Sequence, residues 1–182
     1  MRCAWAIDRV TPRELLRSCA TRFNTIDSEE NPVNTVSKYA IEQIRGTRAP
    51  TPEQMEEYTQ VLLHIAGADG EISPREWEFL VHHGRTIGAS DAVIEKWRAM
   101  DYKSHKLEDL TKSAFIKTRR KGLVYDAIRT ASADGYAAAE KAAVARVATL
   151  LGVEPMVLAA IEAFVEMEAS LTKMRGSLLY SD

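Results

Sequence analysis

Four acidic residues recur at similar spacing in the two halves of this chain. Ala68-Asp69-Gly70 is followed by Glu76, seven residues after the aspartate, and Ala133-Asp134-Gly135 is followed by Glu140, six residues after its aspartate. Carboxylate oxygens are the ligands that hard divalent cations such as Ca²⁺ and Mg²⁺ take. The pattern therefore predicts a cation site built from Asp69, Glu76, Asp134 and Glu140, and a divalent cation is the one cofactor that it indicates.

The same four residues also have a purely structural interpretation. Asp-Gly commonly ends a helix, because the aspartate accepts backbone N–H bonds in the turn. Glu76 is the fourth residue of Ser73-Pro74-Arg75-Glu76, a capping box in which Ser73 and Glu76 bond each other's backbone N–H. Ala137 occupies the matching position before Glu140 and has no hydroxyl, so the box accounts for one glutamate only. Both interpretations stay open.

Several other kinds of site are excluded by their spacing. If the segment that contains Gly70 were the calcium loop of an EF-hand, Ile65 and Gly67 would occupy the first two ligand positions. Those positions require carboxylates, so an EF-hand is excluded. The metalloprotease HExxH motif, a nucleophile elbow and a glycine-rich phosphate loop are all absent from the sequence. The four histidines form no recognisable ligand set. We therefore expect a protein that is not an enzyme.

The elements that must position the acids are helical. Three segments, which start at Thr11, Thr51 and Ser73, have the pattern of a helix start. In each, a Ser or Thr is followed by Pro and then by an acid or amide at the third helical position. Glycines stand where helices should end, and no segment alternates with a period of two, so we predict an all-α protein without a sheet. Helices are predicted near residues 12–24, 32–45, 52–67, 74–87, 91–100, 107–116, 119–132, 138–151 and 155–175.

The predicted helices form an internal duplication. Each copy contains the end of a helix, an Asp-Gly turn, a second helix, a glycine stop at Gly88 or Gly152, and a third helix. The apolar stripe Val144, Val147, Ala148 and Leu151 continues back to Glu140, which places this glutamate on the inward face of its helix. The Pro-containing segment 47–52 separates a helical N-terminal extension, residues 1–51, from a compact helical domain, residues 52–182.

The amino-acid composition indicates which partners and which cellular compartment are expected. The 182 residues are 46% hydrophobic and carry a net charge of −2, so nothing favours nucleic acid or an anionic membrane. The basic cluster 117–121 has no interleaved aromatic residues, which also argues against nucleic-acid binding. No apolar run is long enough to cross a bilayer. Two cysteines and no secretory segment predict a cytoplasmic protein; the arginine-rich N-terminus leaves import into an organelle as the alternative.

The Asp-Gly-Glu motifs, each in a helix–turn–helix and about 65 residues apart, resemble the TerB-like domain. This domain occurs in tellurite-resistance proteins and in the N-terminal region of DjlA-type co-chaperones. The resemblance covers about residues 52–175, and the first 50 residues have no counterpart in it. It implies a compact all-α domain whose repeated acids, carried over as Asp69, Glu76, Asp134 and Glu140, form a negatively charged, metal-binding surface.

The resemblance also implies a function. TerB-like proteins act in stress response and as interaction modules, often with protein partners at a membrane, and are not known as enzymes. We therefore expect a non-enzymatic interaction or stress-response module that binds a divalent cation and reaches a membrane only through its partners. The alternative is an accessory or structural subunit of a larger assembly, in which the acids serve only as hydrogen-bonding groups of helix turns. The apolar C-terminal residues Leu178-Leu179-Tyr180 suit either packing on the domain or docking to a partner.

Overall fold

The computed structural model describes residues 48–180, all of which belong to one unit of the chain, Pro32–Asp182. The predicted helices 12–24 and 32–45, and nearly all of the predicted extension 1–51, lie outside the described residues. Within residues 48–180 the structure contains α-helices and no strand, which confirms the all-α fold class.

Eight helices follow one another along the described chain. They are α1 (Pro52–Ala66), α2 (Pro74–Thr86), α3 (Asp91–Arg98), α4 (Leu107–Leu110), α5 (Ala114–Thr118), α6 (Arg120–Ala131), α7 (Ala138–Leu150) and α8 (Pro155–Leu179), with a 3₁₀ turn at Gly67–Asp69 after α1.

The helix ends follow the capping signals of the sequence. Thr51 and Gln54 form the predicted capping box at the start of α1, with N–H···O distances of 3.0 Å and 3.3 Å. Four glycines between helices have positive φ: Gly70 (125°), Gly88 (92°), Gly135 (141°) and Gly152 (63°). Glycine adopts this region without a Cβ penalty, so each allows the chain to leave its helix at once. Both halves of the domain end helices with positive-φ glycines, but the internal duplication itself stays a prediction.

The prediction of one helix over 107–116 is wrong. The chain forms two short helices, α4 and α5, with a break between Thr111 and Ser113. Leu107 and Ile116 are nine residues apart, which would place them on opposite faces of one straight helix with 3.6 residues per turn. The break lets both side chains reach the core, where they are buried. Ser113 marks the turn by donating its hydroxyl to Glu57 of α1 at 2.7 Å.

The core lies around α1 and α6. These two helices pack against each other, and α6 also packs against α7 and α8. The side chains that fill the core are largely aliphatic, among them Val61, Leu62, Ile65, Leu123, Val124, Ala127 and Val144. This packing fixes where α2 and α7 begin, and the two predicted glutamates stand in the first turns of those helices.

A close helix contact depends on a glycine in α2. Gly84 faces the ring of Trp97 on α3, and a Cβ at residue 84 would overlap that ring. Trp97 is fully buried, so its indole has little room to move.

We expect Gly84→Ala to lower the free energy of unfolding by about 1–3 kcal/mol, because the added methyl group overpacks the contact with Trp97. The measurement is chemical denaturation followed by circular dichroism. Gly122→Ala in α6 is the matched control: its Cβ would lie 3.8 Å from the Tyr58 hydroxyl, an ordinary contact. This control should be neutral or stabilising by up to about 1 kcal/mol, as expected for alanine in a helix. Equal stability of both variants would contradict the packing argument.

Candidate functional site

Glu76 is held in the first turn of α2 by the predicted capping box. The backbone N–H of Ser73 donates to Glu76 Oε2 at 2.8 Å, and the N–H of Glu76 donates to the Ser73 hydroxyl at 3.2 Å. One carboxylate oxygen is therefore used by the cap. The side chain is 3% exposed, which confirms that this glutamate faces inward.

Glu140 has the same position in α7 but only half of the box. The N–H of Ala137 donates to Glu140 Oε2 at 2.6 Å. Ala137 has no hydroxyl to accept in return, so the N–H of Glu140 gains no side-chain cap. The Glu140 side chain is likewise 3% exposed. Burying a carboxyl this deeply is costly unless it is hydrogen bonded or protonated.

The two buried carboxyl groups lie close enough for each to act on the pKa of the other. Oε1 of Glu76 is buried, and no N–H or hydroxyl among residues 48–180 donates to it. Two carboxylates can only accept, so a hydrogen bond between them requires a proton on one of them. Burial raises the pKa of both groups, that of Glu140 to about 7. The pair therefore holds one proton at moderately acidic pH.

The two aspartates lie at the exposed rim of this pair, and each acts on the glutamate of the other motif. The charge of Asp134 adds to burial in raising the pKa of Glu76, and the charge of Asp69 does the same for the pKa of Glu140. The fold thus brings all four predicted residues into electrostatic reach of one another, although 65 positions separate the two motifs.

The cluster has no basic partner in the described part of the chain. Among residues 48–180 no Lys, Arg or His forms an ion pair with any of the four acids. The nearby Lys103 donates to the carbonyl of Gly70 at 2.9 Å, and Lys141 lies 5.0 Å from the ring centre of Tyr136. Within residues 48–180 the negative charge of the cluster is therefore offset by protonation and by two helix N-termini.

The side chains do not form a ready coordination sphere. Within the described residues no three His, Cys, Asp or Glu side chains converge closely enough to hold a metal ion. Asp69 and Asp134 are exposed, and Oδ1 of Asp69 accepts the N–H of Glu71 at 3.4 Å, whereas the glutamates are buried and held by their caps. The donor set itself consists of carboxylate oxygens, which fits a hard cation.

Sequence reasoning missed a second buried polar group. Asp126 of α6 is fully buried, and the hydroxyl of Tyr58 donates to its Oδ2 at 2.8 Å. Nε2 of His83 lies 3.7 Å from the same oxygen. These contacts tie α1 and α2 to α6. The sequence pattern that could have predicted this group is an aspartate between Leu123 and Ala127 on the apolar face of one helix. An acid is rarely buried on such a face unless it has a partner.

The fold and the acid cluster can now be compared with known proteins. The chain is similar to the crystal structure of a tellurite resistance protein from Nostoc punctiforme PCC 73102, at 30% sequence identity and a TM-score of 0.69, covering 79% of this chain and 91% of that one. No family model matches the sequence, and no curated protein matches it closely.

This similarity defines a class of all-helical tellurite-resistance proteins, and the present chain belongs to their TerB-like family. The family is not a known enzyme class. No helix of the described residues is long and apolar enough to cross a membrane.

The shared proton makes the stability of the protein depend on pH. The pKa of Glu140 is raised to about 7 in the folded state, so this carboxyl binds more protons in the folded than in the unfolded chain between about pH 4.5 and pH 7. The stabilisation from this proton is complete below the unfolded pKa and is lost as pH rises through 7. We expect the contribution of Glu140 to the free energy of unfolding to fall by up to about 3 kcal/mol across this interval.

Glu140→Gln should remove most of that pH dependence and raise the melting temperature at pH 8. The neutral amide can still accept from Ala137 and donate to Glu76, and it carries no charge at any pH. Thermal unfolding from pH 5 to pH 8 measures this. Glu78→Gln, an exposed change on α2, should leave the pH profile of the wild type intact. An unchanged profile in Glu140→Gln would show that the glutamates do not share a proton.

Proposed function

We propose that this chain is a non-enzymatic interaction or stress-response module of the TerB type whose acid cluster binds a divalent cation. The observation that carries the proposal is the buried carboxyl pair Glu76–Glu140, with Asp69 and Asp134 beside it and no basic partner among the described residues. The tellurite resistance of its structural neighbour supports a role in stress response. The proposal places the protein in the cytoplasm.

Each residue has a distinct part in the proposed site. Glu76 and Glu140 offer inner oxygens that the caps hold in place, and Glu140 gives up the shared proton as the pH rises. Asp69 and Asp134 offer exposed carboxylates on loops that leave their helices through positive-φ glycines. A divalent cation, when bound, supplies the positive charge that the deprotonated cluster lacks.

The site must therefore exchange a proton for a cation. At pH 6 the proton on Glu140 competes with the cation, and at pH 8 it does not, so affinity should rise across this interval. This linkage separates a site at the buried pair from weak attraction to surface acids, which lose their protons well below pH 6.

Calorimetric titration with Ca²⁺, Mg²⁺ and Zn²⁺ tests the proposal. We expect binding of at least one ion, tighter at pH 8 than at pH 6 by about tenfold, with proton release seen as a dependence of the heat on the buffer. Glu140→Gln and Glu76→Gln should each weaken binding by about tenfold or more. Asp91→Asn, in an exposed ion pair with Arg85 at the other end of α2 from Glu76, is the control and should bind as the wild type does.

The cation part of the proposal would be wrong if no heat of binding were measured at any pH and millimolar metal left the melting temperature unchanged. That result would favour the alternative, an accessory subunit of a larger assembly. That alternative is supported by the capping contacts of Glu76 and Glu140, which give both glutamates a structural role without any ion.

A further inference from the structure

The last helix carries an apolar stripe that the described domain does not cover. Of the 25 residues of α8, only Val165 is buried, and every residue from 169 to 180 is exposed. Large apolar side chains remain between 49% and 73% exposed at Phe164, Met167, Leu171, Met174 and Leu178. An exposed apolar surface of this extent is typical of an interaction site.

The stripe has the period of a coiled coil. Its members follow one another at intervals of three and four residues, from Phe164 through Met167, Leu171 and Met174 to Leu178. Ala160 and Val157 continue the same pattern toward the start of α8. Seven positions at an average spacing of 3.5 form the a and d seam along which one helix packs against another. An amphipathic helix facing only its own domain has a broader stripe with period 3.6.

An open apolar groove lies next to the N-terminal half of this stripe. Its volume is about 570 Å³, and Tyr125 of α6 forms one wall with Met156, Val157, Ile161 and Phe164 of α8. The C-terminal half of α8 exposes Leu171, Met174 and Leu178. One half of the helix therefore offers a hollow, and the other half offers protruding apolar side chains.

The charges of α8 are segregated in the same way along the helix. Between residues 155 and 168 the helix carries Glu162, Glu166 and Glu168 and no basic residue; between 169 and 180 it carries Lys173 and Arg175 and no acid. Two such helices in antiparallel orientation place the acidic half of each against the basic half of the other. A parallel pair would set like charges side by side.

We propose that α8 forms an antiparallel, two-stranded coiled coil with α8 of a second copy of this chain. Groove, protruding side chains and charges are then complementary across one twofold axis, as an isologous dimer requires. The C-terminal half of each helix lies along the groove of its partner. The proposal concerns a face different from the acid cluster and does not depend on cation binding.

Sedimentation of the full chain over a concentration series tests the dimer. We expect reversible dimerisation, weakened about 100-fold by Met174→Asp because a carboxylate would be buried in the seam. Ala169→Asp introduces the same charge on the same exposed helix but opposite the seam, and it should weaken the dimer less than about threefold. A wild-type chain that stays monomeric up to about 0.5 mM, or a dimer unaffected by Met174→Asp, would overturn the proposal.

Charge reversal tests the antiparallel orientation. Lys173→Glu/Arg175→Glu makes both halves acidic, and Glu166→Lys/Glu168→Lys makes the flanks of the seam basic. Each variant alone should dimerise about tenfold more weakly, and an equimolar mixture should recover the wild-type affinity. Circular dichroism checks the second variant, because Glu168 also accepts the Tyr125 hydroxyl at 2.7 Å. In a parallel pair each variant alone would dimerise as the wild type does, because like charges already meet there, and that result would count against the antiparallel pairing.

Zero-length carbodiimide cross-linking identifies what covers the stripe. In the proposed dimer the amine of Lys173 joins Glu166 or Glu168 of the other copy, and mixed isotope labelling shows that the link is intermolecular. A link from Lys173 to an acid within residues 1–47 of the same chain would instead show that the N-terminal segment covers α8, and the proposal would be wrong.

Discussion

Two carboxyl groups share one desolvated space between the first turns of α2 and α7, and charging both of them there costs free energy unless a cation compensates. One proton on the pair removes this cost, because one of the two groups is then neutral. Each carboxyl also accepts the backbone N–H that precedes its own helix. The same contact therefore links two helix starts and brings the two Asp-Gly loops together around one cluster of charge.

The two halves of this contact are not equivalent. Ser73 completes a reciprocal cap for Glu76, while Ala137 leaves Glu140 with a single backbone donor. The Ser73 side chain also lowers the pKa of Glu76, whereas no side chain does so for Glu140, whose pKa burial raises to about 7. A functional response to pH or to a cation therefore centres on Glu140, and Glu76 supplies the fixed partner.

The acid cluster and the C-terminal helix are joined through Tyr136. This residue follows Gly135 in the second loop, and its hydroxyl donates to Glu162 of α8 at 3.3 Å. Burial, followed by the charge of Glu162, raises the pKa of the Tyr136 hydroxyl, which therefore stays protonated and remains a donor. The loop that carries Asp134 thus rests on the helix that we propose as a dimer seam. The domain presents two surfaces with different chemistry, one acidic and one apolar, connected by a short hydrogen-bonded path.

The sequence by itself determined the helical class, most helix boundaries and the inward direction of both glutamates, because capping boxes, glycine stops and apolar periodicity act over a few residues. It also indicated that Glu140 lacks the cap that accounts for Glu76. Only the tertiary structure decided that the two glutamates meet and share a proton, since that contact joins residues 64 positions apart. The break between α4 and α5 and the burial of Asp126 were likewise set by packing against other helices, which local patterns do not encode.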